Sequence, residues 1–97
     1  MLFLVTWDYV DSSEEGGKRS LDVFSKWKPA DGANFIGFYG YADSSGGCAI
    51  IDVDSHQTLA KLTAPFVPWL SFNARPIIPV EESAQISGEA LAWLDTI

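Results

Sequence analysis

One cysteine, one histidine and six basic residues are all that this 97-residue sequence has of its scarcest reactive and cationic groups. Cys48 alone cannot form an internal disulfide, so the fold does not depend on an oxidising compartment and the cytoplasm is the expected location. His56 has no second histidine to join it. Zinc and iron sites need three or more convergent ligands, so no metal centre is expected. The six Lys and Arg face thirteen Asp and Glu, giving a net charge of −7 and a pI near 4.3. Such a chain repels phosphate backbones and anionic lipids, which argues against a nucleic acid or a membrane surface as partner. Four of its cations, Lys18, Arg19, Lys26 and Lys28, share one segment and read as a solvated helix face. No apolar run approaches the ~20 residues of a membrane span, and the apolar start, Met1 to Val5, lacks a basic n-region and reads as a strand. No Gly-rich phosphate loop precedes a helix: Gly46-Gly47 lies inside a hairpin, where turn geometry accounts for it. No fixed-period repeat is present.

What the sequence does contain is apolar side chains, 47% of the total with 13% aromatic, enough for a folded core. The length allows one domain, residues 1–97. Residues 2–9 are β-branched and aromatic and stop at Val10-Asp11-Ser12-Ser13, which predicts a first strand. Ser12 and Glu15 fit a capping box for a helix over 14–28, whose apolar stripe is Leu21, Phe24 and Trp27. Gly16 and Gly17 weaken its first turns by about 1 kcal/mol each, so a firm start is expected near Lys18. Residues 34–42 and 47–53 read as a hairpin around Asp43-Ser44-Ser45-Gly46, with Ala42 opposite Gly47. That register places Phe35, Tyr39, Tyr41, Cys48, Ile50 and Asp52 on one face and Ile36, Phe38, Ala49, Ile51 and Val53 on the other. A second helix follows a cap at Asp54 or Ser55 and is broken at Pro65 and Pro68. Residues 71–79 read as a strand that Pro76 and Pro79 push to a sheet edge. Ser87 can cap a short helix in the tail, residues 80–97, with Ile86 and Leu91 as its staple.

The order strand, helix, strand, strand, helix, strand is the split βαβ pattern: an α+β, ferredoxin-like βαββαβ fold with both helices on one face of a four-stranded antiparallel sheet. The other face, about 400 Å² from strand spacing and rise, is left open. A solvated face should alternate to polar residues, yet Tyr39, Tyr41, Ile50 and one of Leu4 or Trp7 must lie there. Burying it would contribute up to about 10 kcal/mol per chain before association costs, which predicts a sheet-on-sheet homodimer.

Val5-Thr6-Trp7 in the first strand, Ala42-Asp43 with Gly46-Gly47 in the hairpin, and Pro68-Trp69-Leu70 with Phe72 and Pro76 give the chain a family likeness. It resembles small domains of unknown function, about ninety residues long, in the dimeric α/β-barrel superfamily. The resemblance spans most of residues 1–80 and implies the fold and a dimer. Wider relatives include small monooxygenases and muconolactone-isomerase-like enzymes, which bind a ligand between sheet and helices or in the barrel.

The residues that could carry chemistry are few. Trp7, Tyr9, Tyr39 and Tyr41 suit a pocket for a planar hydrophobic molecule, with the phenols orienting it. Thr6 and Asp8 share one parity of the first strand and are its polar candidates. Arg75, a lone arginine amid apolar neighbours, needs a carboxylate or water. Asp8 on the adjacent strand is the partner it could take, and a guard against aggregation at the sheet edge is the favoured reading over an anion-binding role. Cys48 has no cation or helix start to stabilise a thiolate and reads as a small packing residue. The candidate ligand set is therefore Thr6, Asp8, Tyr39, Tyr41 and Arg75, with no cofactor. Three readings stand side by side: a ligand-binding domain, a cofactor-independent monooxygenase or isomerase-like enzyme, and a non-catalytic assembly module.

Overall fold

Eight residues of strand-favouring sequence open the chain, and in the computed structural model, which describes residues 1–97, they form β1 (Leu2–Tyr9). α1 (Glu14–Lys26), β2 (Ala33–Gly40), β3 (Gly46–Val53), α2 (His56–Thr63), a 3₁₀ turn (Ala64–Phe66), β4 (Leu70–Pro76) and α3 (Val80–Leu94) follow. The sheet is antiparallel in the order β2-β3-β1-β4, so the fold is the ferredoxin-like βαββαβ arrangement. β4, with Pro76 closing it, lies at an edge as its prolines require.

α1 starts earlier than its glycines suggest. Ser13, not Ser12, is its cap: the Ser13 hydroxyl accepts from Gly16 N at 3.0 Å, and the Asp11 carboxylate accepts from Ser13 N at 2.9 Å. A Cβ at Gly16 would collide with that carboxylate, so the glycine lets the entry loop fold back onto the helix. Glu14 and Glu15 add favourable charge in the first turn. At α2 the Ser55 hydroxyl accepts from Thr58 N at 3.2 Å, and Pro65 ends the α-helix and starts the 3₁₀ turn.

The hairpin differs from its expected register in a way that matters for the site. Gly40, not Ala42, pairs with Gly47, and a bulge at Ile36 shifts the pairing between Phe35↔Ile51 and Gly37↔Ile50. One inserted residue inverts the parity of everything before it. Phe35 consequently joins Phe38, Ala49, Ile51 and Val53 on the helix side, and Ile36 is exposed rather than packed under the helices. Tyr39, Cys48, Ile50 and Asp52 keep their expected open face. The tight turn rests on Ser44, whose φ of 64° is left-handed, and on Asp43, whose carboxylate accepts from the Ser45 N–H at 3.0 Å. Turn geometry does not explain Gly46-Gly47: neither has a positive φ, and a Cβ there would strike the Trp7 carbonyl and indole respectively.

The buried core comprises Phe3, Val5, Ala49, Ile51, Val53, Leu62 and Phe66, between the sheet and the α1/α2 layer. α3 begins at Val80 directly after Pro79, so the expected cap at Ser87 lies within the helix, and none of its residues is buried. It leaves β4 at the pole marked by Phe3↔Pro76, opposite the β2/β3 turn. The molecule is accordingly 60 Å long with a radius of gyration of 17.4 Å, against about 12.5 Å for a compact chain of this length. No helix is long and apolar enough to cross a membrane.

Candidate functional site

Beneath the helical layer the side chains of β1, β2, β3 and β4 that face inward do not close up completely. They leave a cavity of about 260 Å³ at the end of the sheet nearest the β2/β3 turn. Trp7 forms its floor, with the indole lying over β3 where Gly47 leaves room. Phe38 meets Trp7 edge-on at 5.7 Å, and Phe35 stacks on Phe38 at 4.9 Å, a contact that the Ile36 bulge creates by turning Phe35 to the side that Phe38 already faces. Trp27 stands edge-on to Phe35 at 6.1 Å and to Phe66 at 5.5 Å. Phe24 stacks on Trp27 at 5.9 Å, and Phe72 tilts against Trp7 at 6.3 Å. These seven rings form one continuous network along the cavity wall.

The cavity is apolar in a chemically specific sense. No Asp, Glu, His, Lys, Arg or Cys lines it. Its polar side chains are Ser20, Thr63 and Tyr9. The Ser20 hydroxyl donates to Gly17 O at 2.9 Å and that of Thr63 to Ala60 O at 3.3 Å, so toward a guest each presents acceptor lone pairs rather than a proton. No buried side-chain N or O lacks a partner, and nothing in the wall demands a polar ligand. The cavity opens past Tyr9, Leu21, Phe24 and Phe38, of which Leu21 is 65% exposed.

Thr6, Asp8, Tyr39, Tyr41 and Arg75 do not line this cavity. They lie on the opposite face of the sheet, in successive cross-strand rows. Tyr39, Cys48, Thr6 and Asn73 make one row, and Asp8 lies between Gly46 and Ser71 in the next, where Tyr41 N donates to Gly46 O at 2.8 Å. Arg75 lies opposite Leu4, four residue pairs or about 13 Å along the strand from Asp8, and so does not form an ion pair with it. No hydrogen bond joins any two of the five. Of the aromatic pocket expected from sequence, Trp7 and Tyr9 line the cavity, while Tyr39 and Tyr41 are on the far side.

The residues missed as cavity walls are Phe24, Trp27 and Phe38, read from sequence as packing, and Phe35, Phe66 and Phe72. Phe35 was hidden by the bulge, and the one signal for it is Gly37, an isolated glycine inside a strand pattern. A Cβ at Gly37 would come within 2.8 Å of the Tyr39 ring. His56 contributes packing: its ring stands edge-on to Phe3 at 6.0 Å. No three His, Cys, Asp or Glu side chains converge as a metal site would require.

Fold and site together define a ferredoxin-like α+β domain with an aromatic cavity under its helices. The chain belongs to the family described as Domain of unknown function (DUF3303), whose sequence profile matches residues 1–91. A search of curated proteins finds no match.

Proposed function

We propose that this chain is a homodimeric binding domain for a small planar apolar molecule, of indole or naphthalene size, held in the cavity between helices and sheet. The observation that carries the reading is the seven-ring wall without one acidic, basic or thiol group. Apolar pockets with few polar groups are the usual form of small-molecule sites, and this one offers no general acid or base near neutral pH. Binding is therefore favoured over an oxygenase or isomerase activity.

Dimerisation is supported by the other face of the sheet. Leu2, Leu4, Cys48 and Ile50 lie on it half-buried, beside an exposed Tyr39. The isolated chain exposes 6930 Å², whereas a folded monomer of 10.6 kDa is expected to expose about 5,500 Å². A second copy on the open face is in line with the resemblance to dimeric α/β barrels. The candidates Thr6, Asp8, Tyr39, Tyr41 and Arg75 then belong to the interface, or to a smaller site between the two sheets.

Titration with indole or naphthalene, followed by tryptophan fluorescence, tests the cavity because Trp7 and Trp27 form part of its wall. Saturable quenching is expected. Ser20→Leu, which pushes an isobutyl group into the cavity, should abolish that quenching while raising stability by about 1 kcal/mol through added apolar burial. Unchanged quenching in Ser20→Leu would place the ligand elsewhere.

A further inference from the structure

α3 is the element whose existence the rest of the chain does not account for. It has 15 residues, none buried, and a three-residue connector, Ile77 to Pro79, carries it away from the body. A lone helix of this length is marginal in water, and its stability in proteins comes from packing an apolar face. Such a face is present. At helical spacing Val80, Ala84, Leu91 and Leu94 form one stripe, with Ile86, Ala90, Trp93 and Ile97 beside it, and Glu81, Glu82, Gln85 and Glu89 occupy the opposite arc. Trp93 is 62% exposed and Ile97 83%.

We infer that α3 is an arm that packs its apolar half on a second copy of this chain, against the helical face beside Leu21 and Phe24, and so covers the mouth of the partner's aromatic cavity. The inference rests on the dimer proposed above and says what completes it. Two observations select the second copy as occupant. The first is area. The open sheet face offers about 400 Å² per chain, half of the ~800 Å² per partner that a stable interface buries. The surplus surface of the isolated chain, about 1,400 Å² over a compact monomer, is large enough to include the arm as well.

The second is charge. Residues 80–97 carry four acids, Glu81, Glu82, Glu89 and Asp95, and no Lys or Arg, so pairing α3 with the partner's α3 sets like charges side by side. Five of the six cations, Lys18, Arg19, Lys26, Lys28 and Lys61, are on or beside α1 and α2. Lys28 and Lys61 have no ion-pair partner, and the other three hold only exposed acids of their own helix. Leu21 and Phe24 provide exposed apolar surface among those cations. α1 itself is charge-balanced, Glu14, Glu15 and Asp22 against Lys18, Arg19 and Lys26. With Lys28 and Lys61 beside it, the helical face does not repel an acidic helix as a second α3 would, and the arm would place its own side chains over the cavity.

Sedimentation velocity over a range of protein concentrations, with the full chain and its variants, tests this. Leu91→Glu/Leu94→Glu should raise the dimer dissociation constant about tenfold or more, as loss of buried anchors does, with the thermal transition unchanged in protein dilute enough to be monomeric, because no α3 residue is buried in the single chain. Glu82→Gln/Glu89→Gln should also weaken the dimer at low salt. A tighter dimer there would mean that the acids repel one another and would overturn the proposed landing surface. In a Cys48→Ala background, Leu21→Cys chains mixed with Leu91→Cys chains should oxidise to covalent heterodimers, and Leu91→Cys homodimers in their place would overturn it too. A wild-type dimer unaffected by Leu91→Glu/Leu94→Glu removes the arm and leaves the sheet interface standing; a wild type monomeric throughout removes both.

Discussion

A methyl group at position 47 would occupy space that the Trp7 indole now fills, and would also press on the Tyr39 carbonyl. Gly47 therefore sets the floor of the cavity, through space rather than through backbone freedom. Gly47→Ala is expected to destabilise the fold by about 1–3 kcal/mol, the usual range for overpacking, and to shift the Trp7 contribution to fluorescence. Urea unfolding followed by tryptophan emission checks both. Much about single residues was legible beforehand: Phe24 and Trp27 lie on one helical stripe, and Phe38 on the inner parity of its strand. The role of the two hairpin glycines was not, because a glycine that makes room for the backbone or the ring of a neighbouring strand looks, in one dimension, like any turn glycine.

Element boundaries follow from caps and breakers. Ser13 and Ser55 hold the two N-termini, Pro65 closes α2, and Pro76 ends β4 at the sheet edge. The loop that enters α2 is tied to the loop before β2: Asp54 N donates to Gly32 O at 3.0 Å, and Gly32 adopts a φ of 91° beside the Asp54 carboxylate. The Thr58 and Ser55 hydroxyls both donate to that carboxylate, and the Thr58 bond above all holds its pKa below the usual carboxylate range. A depressed folded pKa means a contribution to stability that is present above the unfolded value, about 3.9, and is lost as pH falls through the folded one. Thr58→Val, which removes the hydroxyl and keeps the shape, should raise the Asp54 pKa. It should also flatten the acid limb of the stability curve below about pH 4, as measured by urea unfolding at a series of pH values. The bulge at Ile36 was the element-level feature that periodicity missed. Period-two reading assumes an unbroken ladder, and one extra residue reverses the two faces upstream of it.

The whole molecule is elongated because one helix has nothing of its own chain to pack on, and its sheet is bare on one side. Both features would be covered in the dimer proposed above. Ile50→Asp puts a charge in the middle of the open face, opposite Leu4, and tests the proposed dimer: the variant is expected to run as a monomer where the wild type does not, read by light scattering on a sizing column. Cys48, the only thiol and a half-buried member of the same face, gives an independent reading. Its reaction with a thiol reagent should be slow in the dimer and fast in Ile50→Asp. Equal rates in both would mean that the sheet face is not the interface.

Composition, periodicity and breakers were enough by themselves to determine the βαββαβ order, the antiparallel class, β4 at the edge and the apolar character of the helix-covered sheet face, because strands, helices, turns and breakers are each written in short stretches of chain. The open face is mixed, with Thr6, Asp8, Asp52, Asn73 and Arg75 beside Leu2, Leu4 and Ile50. Only the tertiary structure decided which aromatic rings meet. The cavity joins residues 7, 38 and 72 across three strands, a single inserted residue turns Phe35 into it, and its floor exists because Gly47 leaves space for an indole from another strand. Contacts of that kind depend on register, and register is a property of paired strands that no single stretch of chain carries.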